Sequence, residues 1–392
     1  MWISFLIIAQ QLYVIICYNK DVMQIPIKDF SDLKKKILGS GASEKALGVD
    51  IGSSTIKIIQ LAKEKEQAIL QTYGELALGP YGEMEIGRSV KIADDKIVEA
   101  LKDVIREANV KTKIASVAIP LKSSFVTVVN IPRLVNEKRL AEVIQMEARR
   151  YIPLPISEVL LDWWIFPDKE VGSEETEKEK KFIKILLVAI HKNVIGKYKN
   201  IITKAGLEIG AFELESFSML RSALFRETAP VAVIDFGAST TKIAIADYGM
   251  MRSAHSINKG SQDLTLALSN SLQINFKRAE EIKRDIGLSN LPEHREITSI
   301  LEPILNYIFS EVNSVIKDFQ VKYNQSVKRI VMTGGGSLMK GLINFAVKRT
   351  TLEVNLADPF VKTHYPAFLE KVLKGVGPDF SIAIGLALRE LI

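Results

Sequence analysis

Ala232-Val233-Ile234-Asp235-Phe236-Gly237-Ala238-Ser239-Thr240-Thr241-Lys242-Ile243 decides the reading of this chain, because the same pattern occurs earlier. The earlier copy is Ala46-Leu47-Gly48-Val49-Asp50-Ile51-Gly52-Ser53-Ser54-Thr55-Ile56-Lys57-Ile58. Each copy is an apolar run, an Asp-x-Gly, a set of hydroxyl residues, and a Lys at the seventh position after the Asp. A third segment, Val331-Met332-Thr333-Gly334-Gly335-Gly336-Ser337-Leu338, follows both. Two related domains that face each other across a nucleotide would present their segments in this order.

The residue types suit that ligand. An apolar run ending in Asp is a buried strand that delivers a carboxylate. Gly52 and Gly237 permit a tight turn and a close backbone approach. Ser53, Ser54, Thr55 and, in the second copy, Ala238, Ser239 and Thr240 expose hydroxyl and backbone N–H donors to phosphate oxygens. Lys57 can reach a phosphate as a point charge. Asp50 and Asp235 suit Mg2+ held through its water shell, since that ion keeps several waters and takes few carboxylates. Ile56, Ile58 and Ile59, like Ile243 and Ile245, resume a strand after the turn, so each loop is a hairpin. A P-loop would lead into a helix instead, and no G-x-x-x-x-G-K-[ST] is present. A plain hairpin with Gly and Ser at its turn accounts for either copy alone. It does not account for two copies and a triple glycine after a third strand.

The chain has 392 residues, which predicts two domains or one large composite. Its 47% hydrophobic and 25% charged content is ordinary for a globular protein. Net charge is +6, with lysines scattered apart from small clusters at 34–36 and 178–181. No Arg-rich, aromatic-interleaved face stands out, which argues against nucleic acid. An anionic membrane surface or an acidic partner suits the excess equally. Cys17 is the single cysteine, which rules out an internal disulfide and fits the cytosol. His191, His255, His294 and His364 are too scattered in sequence to suggest zinc.

Residues 1–44 read as an extension. The apolar run 2–17 is shorter than the roughly 20 residues a spanning helix needs, and Gln10-Gln11 breaks it. Met23 is the expected start of the functional chain, with anchoring by the preceding segment as the alternative. The stretch 27–38 places Ile27, Phe30, Leu33, Ile37 and Leu38 on one helix face opposite lysines. It reads as a short docking helix or, alternatively, a membrane-surface helix.

Beyond it, strands are expected at 46–51, 55–63, 66–78, 114–119, 124–130, 159–166, 182–190, 231–236, 240–247, 250–257 and 328–333. Helices are expected at 96–109 (capped by Asp94 or Asp95), 136–150, 191–206, 215–227, 261–269, 276–286 and 295–323. A further helix should begin directly after Gly336 and offer its N–H groups to an anion or to ribose hydroxyls. The last should run over 379–391, where Ala383, Gly385 and Ala387 suit close packing. The charged stretch 167–181 reads as a solvated hairpin tip.

This order of motifs resembles the actin-like ATPase superfamily. Asp50 to Lys57 matches its first phosphate loop, Asp235 to Thr241 its second, and Gly334 to Leu338 its adenosine motif. The segment Ala279 to Gly287 is similar to the bacterial actin stretch that holds adenine and ribose, which implicates Glu280, Glu281 and Lys283. Within the superfamily the chain most resembles the PilM family of type IV pilus assembly proteins. Four segments carry that likeness: Ala46 to Leu61, Gln145 to Pro153, Glu213-Leu214-Glu215-Ser216, and Ala383 to Arg389.

The resemblance implies an α/β fold of two RNase H-like domains facing a nucleotide cleft, at 45–228 and 229–392. An FtsA-like inserted subdomain would fall at 121–190 and a helical subdomain at 261–325. It implies ATP with Mg2+ as cofactor, and a cytoplasmic adaptor peripheral to the inner membrane. The adaptor would bind the cytoplasmic N-terminal tail of PilN and, through it, the other inner-membrane pilus proteins and the assembly motor. Ile144, Met146, Arg150 and Tyr151 are the expected partner contacts, with the subdomain core as the alternative for each apolar residue. One of Trp163 and Trp164 should be core and the other a surface anchor.

Glu215 matches the acidic residue that orients the attacking water in other superfamily members. The alternative is a helix N-terminal carboxylate held by the dipole. Hydrolysis is expected to be slow or negligible, with nucleotide favouring one domain closure. Three rival functions stay in view. A small-molecule kinase would need a catalytic Asp, for which Asp162 is the candidate. An FtsA division filament would need a C-terminal amphipathic tether, whereas this sequence ends at Leu391-Ile392. A filament scaffold without a pilus role would self-associate.

Overall fold

The computed structural model describes residues 45–133, 140–166 and 182–391. The expectations for 1–44, the start of the helix from 136, and the tip at 167–181 lie outside the described residues.

The first half contains β1 (Lys45–Ile51), β2 (Thr55–Glu64), β3 (Gln67–Ala77), helix α1 (Asp94–Glu107), β4 (Ile114–Ile119), β5 (Ser124–Pro132) and α2 (Leu140–Ala148). It continues through β6 (Val159–Ile165), β7 (Phe182–His191), α3 (Lys192–Lys204), β8 (Glu208–Leu214) and α4 (Glu215–Ala223). The second half holds β9 (Val231–Phe236), β10 (Thr241–Asp247), β11 (Met250–Ile257), α5 (Ser261–Leu272), α6 (Phe276–Asp285), α7 (Arg295–Tyr323), β12 (Arg329–Thr333), α8 (Leu342–Thr350), β13 (Glu353–Leu356), α9 (Glu370–Val376) and α10 (Ser381–Leu391).

Two five-stranded sheets repeat one topology. The orders are β3-β2-β1-β4-β8 and β11-β10-β9-β12-β13. In each, an antiparallel meander is followed by two parallel strands on the other side of its first strand. The central strands β1 and β9 are covered on both faces, so both read as continuous apolar runs. This is the actin-like architecture expected from the paired motifs. A third sheet, β5-β7-β6, is the inserted subdomain.

Two strands escaped the sequence reading. β8 contains Gly210 and is bordered by Glu208 and Glu213, and β13 is a four-residue edge strand. Both are defined by parallel pairing to a distant strand rather than by local pattern. Helix α1 is capped by Ala93, and Asp94 and Asp95 occupy its first turn, where they favour the N-terminal dipole.

The last helix returns to the first sheet. Ala383, Ile384, Ala387, Leu388 and Leu391 pack with Ala46, Ile59, Leu61 and Leu70. Its other side, Ile382 and Leu386, enters a core shared with α4, β9 and β10. A Cβ on Gly48 would strike the Ala383 carbonyl oxygen, and one on Gly385 would strike that of Ser218. The small residues there let helix backbone lie directly on β1 and α4, as their spacing predicts.

The inserted sheet is covered on both faces. Ile144 and Ala148 of α2 pack on one face with Ile131, Ile185 and Leu187, and Trp163 joins them. The other face carries Trp164, which meets Phe217 of α4 at 4.8 Å between ring centroids. Both tryptophans therefore pack inward, each into a different core, which replaces the expectation of one surface anchor.

Candidate functional site

The seven-residue spacing of Asp and Lys has a register explanation. Asp50 lies directly opposite Lys57 across the β1–β2 hairpin, and Asp235 opposite Lys242 across β9–β10. Each hairpin closes over four residues, with the Gly52 N–H donating to the Thr55 carbonyl (2.9 Å) and the Gly237 N–H to that of Thr240 (3.1 Å). The two loops are thus the same object built twice.

Their side chains diverge. Lys242 Nζ lies 2.8 Å from Asp235 Oδ2 and 2.9 Å from Glu215 Oε2. Lys57 pairs with other carboxylates and not with Asp50. Its Nζ meets Asp379 Oδ1 at 2.9 Å, Glu75 Oε1 at 3.7 Å and the Thr55 hydroxyl at 2.6 Å. Burial pushes the Asp50 carboxyl up to about 6, against the pull of Lys57 and Lys242 and with help from Glu215 and Asp235. For both lysines burial works to lower the pKa, but Asp379 and Glu75 around Lys57, and Asp235 and Glu215 around Lys242, overcome it. Both ammonium groups are held above the ordinary lysine range.

The triple glycine joins the two hairpins. Gly334 has φ +84°, and a Cβ there would collide with Asp235 Oδ1. A Cβ on Gly336 would lie 2.6 Å from the Phe236 carbonyl oxygen, and one on Gly335 2.9 Å from Asp379 Oδ1. The loop sits against the carboxylate of one hairpin and the carboxylate that pairs with the lysine of the other. The helix expected directly after it is not there. Residues Gly335–Leu338 form a 3-10 turn, and α8 starts only at Leu342 after Gly341, whose φ is +79°. Ser337 points inward and donates to the Gly334 carbonyl at 2.6 Å, which closes the turn.

On α6, Lys283 is buried and donates to Glu280 (2.7 Å), the Thr265 hydroxyl (2.9 Å) and the Ser261 carbonyl (3.2 Å). Burial lowers its pKa in spite of Glu280. Burial opposes ionisation of Glu280, but Lys283, Thr265 and Arg284 outweigh it and lower its pKa. Glu281 stands apart on the exposed side, paired with Arg278 at 3.0 Å. Glu280 and Lys283 are thus brought together, and Glu281 is not among them.

Glu215 is buried at the N-terminus of α4. Its Oε1 accepts from the Leu121 backbone N–H at 2.7 Å while Oε2 meets Lys242. Tyr198 of α3 is also close to this cluster. Burial raises its pKa, and the Glu215 and Asp50 charges add to the effect.

Sequence reasoning missed Asp379, Glu75, Tyr198 and the segment 79–93. That segment leaves β3 and reaches the second half of the molecule. The Ser89 N–H donates to Gln262 Oε1 at 2.5 Å, and Arg88 lies over the Phe276 ring at 5.3 Å. The Val90 N–H donates to the Ser53 carbonyl in the first hairpin loop. Nothing in 79–93 repeats or alternates, so only the fold reveals it.

The partner candidates lie on the inserted subdomain. Ile144 is 1% exposed and belongs to the subdomain core, so it cannot meet a peptide there directly. Met146 is 67% exposed and Tyr151 43%. Arg150 is exposed and paired with Glu147 at 2.9 Å. Beside them Arg149, Leu154, Pro155, Ile156 and Ser157 line an open depression of about 420 Å³. Asp162 is exposed on β6 and accepts from its neighbour's N–H, that of Trp163.

Comparison with known proteins gives a consistent result. The family model described as type IV pilus assembly protein PilM matches residues 48–391. The cell division protein FtsA of Neisseria meningitidis serogroup B is 24% identical over 375 residues, covering 86% of this chain and 88% of that protein. FtsA of Bacillus subtilis is 22% identical over 259 residues, 58% of each protein, so that match spans little more than half of the relative. Among solved structures, a chain of the PilM-PilN type IV pilus biogenesis complex superposes with TM-score 0.75 at 22% identity, covering 90% of this chain and all of that one. The ethanolamine utilization protein EutJ of Carboxydothermus hydrogenoformans follows with TM-score 0.53 at 17% identity, covering 90% and 93%.

Proposed function

The chain belongs to the PilM family of type IV pilus assembly proteins, and from that premise we propose that it is a nucleotide-binding adaptor of the pilus assembly complex. The observation that carries the reading is the convergence of three loops on one cluster of charged side chains. Two hairpins of identical register present Asp50 and Asp235, and the glycine loop Gly334–Gly336 packs against the second of them and against Asp379.

ATP is the proposed ligand. Loop residues Ser53, Ser54, Ala238, Ser239 and Thr240 offer their N–H groups and hydroxyls to the phosphates. Lys57 and Lys242 supply point charges, and the Glu280–Lys283 pair faces the ribose and base. Among the described residues no group of three or more His, Cys, Asp or Glu could hold a metal directly. Mg2+ would therefore depend on its water shell and on nucleotide oxygens, with Asp50 and Asp235 as outer partners.

PilN, through its cytoplasmic N-terminal tail, is the proposed partner of the inserted subdomain. Met146 gives an adaptable apolar contact, and Tyr151 and Arg150 flank the neighbouring depression. An extended apolar peptide can use such a surface by adding to a sheet edge or filling the depression. No described helix is long and apolar enough to cross a membrane. Attachment to the membrane through PilN is the proposed arrangement.

The test is titration of a labelled PilN tail peptide into the full chain, with and without Mg-ATP. Saturable binding that Met146→Asp or Tyr151→Ala weakens about tenfold, on the order of 1.4 kcal/mol, is the expected result. Absence of binding in both conditions would reject the adaptor reading.

A further inference from the structure

Glu215 joins two regions that otherwise have separate tasks. One is the second phosphate hairpin. The other is the start of the inserted subdomain. Its two carboxylate oxygens are divided between them. Oε2 meets Lys242 Nζ at 2.9 Å, and Lys242 also holds Asp235 Oδ2 at 2.8 Å. Oε1 accepts from the Leu121 N–H at 2.7 Å. Leu121 opens the short turn Leu121–Ser123, from which the chain passes directly into β5.

The chain of contacts is buried at its ends and largely buried at Lys242, whose side chain is 16% exposed. Glu215 and Asp235 are each 5% exposed, as is Leu121. In such surroundings charge-assisted hydrogen bonds are strong, and their loss is costly. Phosphate oxygens arriving at the hairpin loop compete with both carboxylates for the Lys242 ammonium. Whatever share they take is lost to Glu215. A carboxylate that loses its cation must reorient or gain another donor. Its other oxygen is the acceptor for the Leu121 amide, so the backbone at the base of the inserted subdomain responds.

We propose that Glu215 is a positioning residue that couples nucleotide occupancy to the placement of the inserted subdomain, through Lys242 on one side and the Leu121 amide on the other. This rests on the reading above, in which the cleft takes nucleotide and the subdomain takes the peptide. It gives Glu215 a role that does not require hydrolysis. Coupling of this kind is reciprocal, so peptide binding must change nucleotide affinity by the same factor.

Hydrogen exchange on the full chain separates the steps. It is compared with and without Mg-ATP at concentrations that saturate each variant. In the native chain, nucleotide should slow exchange in the hairpins 50–57 and 235–242 and change it in 121–131. In Glu215→Gln, with the hairpins still protected, the change in 121–131 should vanish. In parallel, Mg-ATP should shift the peptide Kd at least about fivefold in the native chain and no more than about twofold in the variant. If Glu215→Gln does not fold, Glu215→Asp keeps the charge but is one methylene too short to hold both Lys242 and the Leu121 amide, and the same readouts apply. Hairpin protection with an unchanged response at 121–131 in the variant would overturn the proposal. So would hairpin protection with no response there in the native chain. No hairpin protection at all would instead reject the nucleotide reading itself.

Discussion

The two Asp-x-Gly hairpins have the same register, the same four-residue closure and the same Asp–Lys spacing, yet they differ electrostatically. In the second, Lys242 satisfies Asp235 and Glu215 together. In the first, Lys57 is drawn to Asp379 and Glu75, and Asp50 is left with a pKa pushed up to about 6. The difference arises outside the repeat. Asp379 reaches Lys57 from just before α10, as Glu215 reaches Lys242 from the start of α4. But β3 also sets Glu75 opposite Lys57, where β11 sets only Ser256 opposite Lys242. A repeated sequence therefore repeats the backbone, while the neighbours decide which carboxylate is already paired. Asp50 is the less satisfied of the two, and so would gain the more from the Mg2+ proposed above.

The largest effect should come from breaking the paired hairpin. Lys242→Met leaves Asp235 and Glu215 without their shared cation, and removal of one partner from a buried pair costs about 3–5 kcal/mol. Chemical denaturation of the nucleotide-free protein measures this. A loss under about 1 kcal/mol would mean that the second hairpin is no better satisfied than the first.

The second test acts on the unpaired carboxylate and has the opposite sign. Folded Asp50 keeps its proton up to about pH 6, whereas its ordinary value is 3.8. The folded state thus binds more protons between those values, and the residue's contribution to stability falls as pH rises through that window. Asp50→Asn should stabilise the nucleotide-free protein above pH 6, by at most about 3 kcal/mol, while Mg-ATP affinity falls. The variant should gain nothing below pH 4. Asp235→Asn should destabilise in the same assay. Calorimetry of Mg-ATP binding at pH 5 should show proton release and weaker affinity than at pH 7.5. Equal behaviour of the two Asn variants would erase the distinction.

The smallest effect should come from Asp379→Asn. With its 2.9 Å partner weakened, Lys57 is free to turn toward Asp50, directly across the hairpin. The Asp50 midpoint should then drop by roughly one unit, equivalent to about 1.4 kcal/mol, when followed by pH-dependent stability. A midpoint that stays near 6 would mean that burial alone sets it.

Much of this molecule was legible in one dimension. Ala46–Ile58 and Ala232–Ile243 carry periodicity, glycine and spacing within a dozen residues, so local physics suffices to specify a strand, a turn and a returning strand. Helix α7 was readable over its full length because its apolar stripe repeats for many turns. Gly385 announced a close contact, and the structure supplies the Ser218 backbone that requires it.

Other parts depend on partners far away in sequence. Strand β13 exists because β12 pairs with it, and segment 79–93 matters because Gln262 and Phe276 receive it. Ile144 and Met146 look equivalent as apolar residues on one short helix, but the inserted sheet lies against only one of them. The Glu213–Ser216 stretch hides two different networks. Glu213 is clamped by Arg221 at 2.6 Å, and the Arg221 guanidinium also donates to the Gly385 carbonyl at 3.0 Å. Glu215 meets Lys242 and the Leu121 amide instead. By itself the sequence determined the paired hairpins, the glycine loop and hence the fold, since turn chemistry and strand pattern act over a few residues. Tertiary structure alone decided which lysine is committed to which carboxylate and which apolar side chain is surface. Burial and Coulomb attraction depend on distances that only the folded chain sets.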